Sequence, residues 1–341
     1  MHSESAESLP FISVVVPTHN RAESLRATVE SFVGGSYPRD RLEILIVDNL
    51  STDGTPGIIA QLSASDPRVI GIRETRRGAH FARNTGALRS RGELLYFTDD
   101  DMIADPDILL NIVKGFVPGA NVASVTGRVL PRWETEPPRW ILEHCRNSLL
   151  SLLDLGEGML VSDHDPGVFS CHQAVLREAF MRAGGFNPDT NAGEFTGDNE
   201  TGLNIKIAAL GYRFAYVGSA VMHHSIPGSR MTQEYLNARM WDQGGCDSYT
   251  AYRERRPGTA RLAAAMPVHA LRLGASLAKA AARRAAGKSG WHVDLSRAWY
   301  HTNRARSDAK LIARSDWREF VLRSDWLTES PSAARATGSG G

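Results

Sequence analysis

The chain is poor in what several functional classes require. Its three cysteines, Cys145, Cys171 and Cys246, are far apart among 341 residues and show no CxxC spacing. That argues against a disulfide framework or a cysteine-held zinc and fits a reducing compartment. No stretch approaches the roughly 20 uninterrupted apolar residues of a membrane span, so an export channel of the kind a processive polymerase needs is not expected. Neither sign of charge dominates: 39 basic and 38 acidic residues leave a formal net charge of +1, and no global field points to nucleic acid. Met1 to Ser8 is polar and acidic, unlike a secretory leader. These absences together predict a soluble, cytoplasmic protein with at most peripheral membrane contact. A glycine-rich G-x-G-x-x-G turn is also missing after the first apolar run, where Pro17-Thr18-His19-Asn20-Arg21 stands instead. A hydride-transferring dinucleotide enzyme is therefore not expected.

What is present alternates. Apolar runs at Phe11–Val16, Leu42–Val47, Val69–Ile72 and Leu94–Phe97 are separated by helical patterns at Ala22–Val33, Gly57–Leu62 and His80–Ser90. Near-continuous apolar strands divided by helices imply an α/β fold with a mostly parallel sheet covered on both faces. Ligands of such sheets bind beyond the carboxyl ends of the strands. That rule gathers Pro17, Thr18 and Asn20, then Asp48 and Asn49, then Asp99-Asp100-Asp101, along one rim.

The aspartate triplet is the most informative feature. Carboxylates packed this closely repel one another, so raised pKa values are expected unless a cation is bound. Asp105-Pro106-Asp107 is read as the cap and first-turn proline of the following helix, leaving the triplet free. A hard divalent ion, Mg²⁺ or Mn²⁺, held by one or two carboxylates and by substrate phosphates suits it. Asp48 can accept from a uracil or thymine imide or from a ribose hydroxyl. Gly78 opens a helix that carries Arg83, a combination suited to anions, whether nucleotide or diphosphate.

Taken in order, Val-Val-Val-Pro-Thr-His-Asn-Arg (14–21), Val-Asp-Asn-x-Ser-x-Asp-Gly-Thr (47–55), Gly-Ala-x-x-Ala-Arg-Asn-x-Gly (78–86) and Phe-Thr-Asp-Asp-Asp (97–101) resemble the family-2 glycosyltransferases of GT-A fold. The likeness continues through Ala183–Phe186, Gly197–Glu200 and Gly211–Arg213, and so covers roughly residues 11 to 250. It implies inverting transfer of a sugar from a nucleoside diphosphate donor to a hydroxyl-bearing acceptor, with a divalent metal. By position, Pro17, Thr18, Asn20, Arg21, Asp48, Gly78, Arg83, Asp99 and Asp100 would line the nucleotide-sugar pocket, with Asp99 nearest the ribose. Asp101 would ligate the metal, together with Asp99. The family's Glu-Asp before a helix ending in Gly-Tyr-Arg has its counterpart at Asn199-Glu200, which makes Glu200 the preferred general base and Asp198 the alternative. His224-Ser225-Ile226-Pro227-Gly228-Ser229-Arg230 matches a His-x-x-Pro-x-x-Arg context in which the histidine approaches the metal and Arg230 the diphosphate. The acceptor would be a small natural product or a surface glycan, free or lipid-linked, and a UDP-sugar is the favoured donor.

The rest of the chain organises around that core. Residues 1–256 are read as the catalytic domain, with nucleotide-sugar binding in 11–130 and the acceptor half in 131–256. Pro131–Trp140 is read as a surface insertion or lid. Trp241-Asp242-Gln243-Gly244-Gly245 is read as a helix end and part of an acceptor lid. Residues 257–328 form a helical extension and 329–341 a disordered tail. Met266, Leu273 and Leu277 share a helical stripe beside Arg272, Lys279 and Arg283. Packing of that stripe against the catalytic domain or a second subunit is preferred over lying on anionic lipid, since its face is mostly alanine. Two rival functions remain. A sugar-1-phosphate nucleotidyltransferase would need a glycine-rich loop after the first strand, and a non-catalytic nucleotide-sugar-binding module would not need its acidic sites intact.

Overall fold

The computed structural model describes residues 9–145, 149–189 and 197–328; the tail expected at 329–341 lies outside them. Strands β1 (Ile12–Thr18), β2 (Leu42–Asp48), β3 (Val69–Arg73) and β4 (Leu94–Thr98) pair in parallel, in the order β3-β2-β1-β4. Helices α1 (Ala22–Val33), α2 (Thr55–Ser65) and α3 (Ala79–Arg89) connect them. Every residue of β1, β2 and β4 is buried, which is why these strands read as near-continuous apolar runs rather than alternating ones; the buried Glu43 of β2 is met by Ser13 Oγ of β1 at 2.6 Å. Val14 and Val16 join one core layer with Phe32 and Tyr96, whereas Val15 joins the other with Phe97, Phe180 and Phe186. The pleat sends successive side chains to opposite faces.

Beyond β4 the sheet becomes mixed. β8 (His172–Leu176) runs antiparallel to both β4 and β6 (Val122–Trp133). β9 (Arg213–Ile226) runs parallel to β6 and antiparallel to β5 (Met102–Ala104) and β7 (Met159–Ser162). The lid expected at Pro131–Trp140 is therefore corrected in its first part. Pro131, Arg132 and Trp133 belong to β6, opposite His224, Ser225 and Ile226 of β9, and only then does the chain leave for α5 (Arg139–His144). The cap expected at Asp105-Pro106-Asp107 is corrected as well. Pro106 precedes α4 (Ile108–Val113), the N-cap residue Asp107 makes no side-chain capping bond, and Asp105 Oδ1 instead meets His223 Nε2 at 2.9 Å.

After the short α6 (Arg177–Arg182) and α7 (Asn199–Ala209), the chain finishes in α8 (Gln233–Arg255), α9 (Thr259–Ala285), α10 (Trp291–Ala313) and α11 (Ser315–Leu322). α10 packs against both α8 and α9. Gly244 and Gly245 do not end a helix, contrary to the sequence reading; they lie inside α8. A Cβ on Gly244 would sit 2.3 Å from the Tyr300 carbonyl oxygen of α10, so the glycine permits two helices to approach closely. Trp241 meets Trp299 of α10 edge-on at 6.1 Å.

The last described segment folds back onto the sheet-bearing part of the chain. Trp326 N–H donates to the Gly184 carbonyl at 2.8 Å. The Lys206 ammonium of α7 donates to the carbonyls of Gly185 and Ser324, at 2.5 and 3.0 Å. Gly184 holds φ +73°, and a Cβ there would lie 2.7 Å from the Ser324 oxygen. The Ala-Gly-Gly-Phe turn thus has a packing reason for its glycines.

Candidate active site

The carboxyl ends of β1, β2 and β4 open on one cavity of about 730 Å³, within the range of small-ligand sites. Parallel pairing puts Thr18 of β1 directly opposite Asp48 of β2, and the chain leaving β4 delivers Asp99, Asp100 and Asp101 to the same rim. Pro17, Thr18, Asn20, Arg21, Gly78, Arg83, Asp99, Asp100, Asp101, Glu200 and Arg230 all line it. Asp48, Asp198 and His224 do not form part of its wall.

Each aspartate of the triplet has a different partner. Asp99 pairs with Arg83 of α3, whose side chain is 4 % exposed. Asp100 accepts a hydrogen bond from Thr18 Oγ1 at 2.7 Å and lies 4.0 Å from Arg21. Asp101 takes Arg230 Nη2 at 2.6 Å. Burial, reinforced by the Asp101 charge, pushes Asp100 up to about 7, with the Thr18 hydrogen bond opposing. This is the repulsion expected of packed carboxylates.

His224 sits behind Asp101 because β5 pairs with β9 in a register that sets Met102 opposite His224. Its Nδ1 lies 2.8 Å from the Leu150 carbonyl oxygen. A carbonyl only accepts, so Nδ1 carries the proton and Nε2 presents a lone pair. That lone pair faces Asp101 Oδ1 at 3.7 Å and Arg230 Nη1 at 2.6 Å. Burial holds the imidazole below its ordinary value, with Asp101 opposing, so the neutral, ligating form is favoured. Asp101 and His224 share one cation, the Arg230 guanidinium, and so form a pair of donors already arranged around positive charge. Asp99 is turned to Arg83 instead. Among the described residues no three His, Cys, Asp or Glu side chains come together to hold a metal by themselves.

Glu200 lies in the first turn of α7, on the far wall of the cavity. Ser170 Oγ donates to its Oε2 at 3.3 Å. Burial raises its pKa, while the Arg83 and Arg239 charges act to lower it. Asp198, two residues earlier, is 1 % exposed and accepts from Asn187 Nδ2 at 2.6 Å and Thr250 Oγ1 at 3.2 Å. It ties α7 to α8. Asp48 is also buried, and its Oδ1 accepts the Ser51 N–H at 3.0 Å.

Some roles were not legible from the sequence, although the strand-end rule had already placed Asn49 on this rim. Asn49 pins the loop before α3: its Oδ1 accepts the Gly78 N–H at 2.8 Å and its Nδ2 donates to the Arg76 carbonyl at 2.7 Å. The Gly78 N–H is thereby already taken, and the His80 N–H is held by Asp189 Oδ2 at 2.9 Å, so two of the donors at the start of α3 are occupied. Arg239 of α8 lines the cavity with no apolar pattern or motif to announce it. Cys171 lines it too, and burial pushes its thiol up, away from the thiolate a nucleophile needs. Among the described residues, six that are not glycine have positive φ. Four of them, Asn20, Leu50, Ser151 and Asn199, line this cavity. Such conformations cost about 1–3 kcal/mol each and gather at functional sites.

Comparison with known proteins agrees with this geometry. The sequence model of glycosyl transferase family 2 matches residues 13–184. Glycosyltransferase AglE of Haloferax volcanii is 41 % identical over 95 residues, which are 28 % of this chain and 31 % of AglE. The glucosyl-dolichyl phosphate glucuronosyltransferase of the same organism is 27 % identical over 241 residues, 68 % of this chain and 75 % of that one. A mannosyltransferase from Pyrobaculum calidifontis, solved with GDP-Man and Mn²⁺, superposes with a TM-score of 0.58 at 24 % identity, covering 88 % of this chain and 87 % of its own. That likeness speaks for the GT-A fold. With the family's match spanning half of the sequence and its fold recovered almost end to end, this chain belongs to glycosyl transferase family 2 and is a glycosyltransferase.

Proposed function

We propose that the enzyme transfers a sugar, with inversion, from a nucleoside diphosphate donor to a hydroxyl-bearing acceptor, with Glu200 as general base. One observation carries this reading: Glu200 lines the same cavity as the aspartate triplet, whereas Asp198 is buried behind it with its carboxylate occupied. An acceptor between Glu200 and the donor would lose its hydroxyl proton to Glu200 as its oxygen attacks the anomeric carbon. A positioned base of this kind contributes about 10²- to 10⁴-fold. The bond to the diphosphate breaks on the opposite face, so no covalent enzyme intermediate is needed. Arg83 and Arg230 supply positive charge to the departing group.

Asp101 and His224 would hold a divalent metal, Mg²⁺ or Mn²⁺, with Asp99 near. Two protein ligands leave positions for phosphate oxygens, as is usual for such ions. When bound, the metal would neutralise charge on the leaving diphosphate. UDP-sugars are the first donors to test, as the donor class the sequence motifs favour. GDP-mannose is the second, since the Pyrobaculum enzyme was solved with it. The glucuronosyltransferase named above acts on a glucosyl-dolichyl phosphate, which makes a lipid-linked acceptor one class to screen beside small natural products.

A thermal-shift screen of UDP, GDP, TDP and CMP, with Mn²⁺ or with EDTA, tests the donor site. Stabilisation by one nucleoside diphosphate only with metal supports the reading. No shift from any nucleotide in a folded protein would leave the cavity without its donor and overturn it.

A further inference from the structure

α9 has two faces with opposite surroundings. One packs on α10: Leu262, His269, Ser276 and Ala280 are buried, His269 Nε2 meets Asp308 at 3.0 Å, and Arg283 meets Asp294 at 2.7 Å. Met266 and Leu273 are half-buried with them. The opposite face is covered by nothing among the described residues. Leu271 is 74 % exposed and Val268 44 %, set in a run of exposed alanines, and Leu277 at its edge is 44 % exposed. An apolar surface along a helix of 27 residues, about 40 Å long at 1.5 Å per residue, calls for an occupant.

The charge around it names the kind. From residue 255 to 293 the chain carries eight Arg or Lys and no Asp or Glu, in a protein whose charges otherwise balance. Arg283 is the one of the eight with an acidic partner among the described residues. Arg261, Arg272 and Lys279 are exposed and spaced by eleven and seven residues, three and two helical turns, so they form one row beside the apolar strip.

We propose that the outer face of α9 seats on an anionic lipid surface, lying in the headgroup plane. It does not span: no described helix is long and apolar enough to cross a membrane. A second copy is disfavoured by charge, because a two-fold contact lays the basic row against itself with no acid on the helix to compensate. The strip is mostly alanine with three larger apolar side chains, so electrostatics dominates and the attachment is reversible. Each Lys or Arg near an anionic surface strengthens binding roughly fivefold. The proposal rests on the extension alone and stands apart from the donor and acceptor chemistry.

The test is co-sedimentation of the full chain with vesicles of phosphatidylcholine, with and without phosphatidylglycerol. The protein is expected to sediment only with the anionic vesicles and to be released by high salt. Leu271→Glu abolishes sedimentation, and the double variant Arg272→Gln/Lys279→Gln weakens it about 25-fold, two such steps, both with unchanged thermal stability. Three results overturn the proposal: no sedimentation, equal binding to neutral vesicles, or a dimer in light scattering that Leu271→Glu dissociates.

Discussion

The Nδ1–H of His224 donates to the Leu150 carbonyl at 2.8 Å, which leaves Nε2 facing Asp101, 3.7 Å away. A backbone acceptor thus fixes the tautomer that a metal site needs. Replacing His224 with Ala is expected to raise the Mn²⁺ concentration for half-maximal activity about 10- to 100-fold, beside a lower Tm from the loss of a buried, hydrogen-bonded side chain. A Mn²⁺ titration of transfer activity reads this directly. An unaltered titration would remove His224 from the ligand set.

Glu200 and Asp198 separate by what each is bonded to. Glu200→Gln is expected to lower kcat by about 10²- to 10⁴-fold while the nucleotide still stabilises the protein in a thermal melt. Asp198→Asn breaks a buried carboxylate bonded to two elements, so its cost appears as a lower Tm. Undiminished turnover in Glu200→Gln would sink the base assignment.

The pH profile follows from burial of the same carboxylate. A base works only when deprotonated, and burial raises Glu200 above the usual range. The acidic limb of kcat/KM is therefore expected at higher pH than an ordinary glutamate gives. Arg239 acts to hold the pKa down, so Arg239→Gln should move the limb further up. A limb that stays in place on this substitution would detach Arg239 from the base.

The close approach of α8 and α10 at Gly244 has a measurable price. Gly244→Val forces a side chain against the Tyr300 carbonyl, which lies 2.3 Å from the position of a Cβ. Overpacking of this kind costs about 1–3 kcal/mol, to be read from urea denaturation. Gly258→Ala, where a Cβ meets nothing within 4 Å, serves as the control and should leave stability almost unaltered.

Much of the nucleotide half was legible because β1, β2 and β4 are buried on both faces, which favours apolar residues at most of their positions. Parallel order then carried the argument from strand ends to a shared rim, and Thr18, Arg83 and the aspartates do meet there. The second half was harder for a physical reason. β9 contains His223, His224 and Ser225, polar residues that its antiparallel and parallel neighbours accommodate, so the strand runs past the point where its apolar pattern stops. Pro131 hid the end of β6 in the same way. Arg239 reaches Glu200 only through the docking of α8 on α7, a tertiary relation without a local signature. The glycines of α8 look like a helix end when the partner helix that needs their smallness is out of view.

The return of residues 324–327 onto Gly184, Gly185 and Lys206 also has a consequence in time. A ribosome releases the Rossmann-like half first, yet the Ala-Gly-Gly-Phe turn and the α7 ammonium beside it wait for partners that are made more than a hundred residues later. Until then the catalytic half carries an open seam, and a chain stalled inside the helical extension would present that seam to chaperones and proteases.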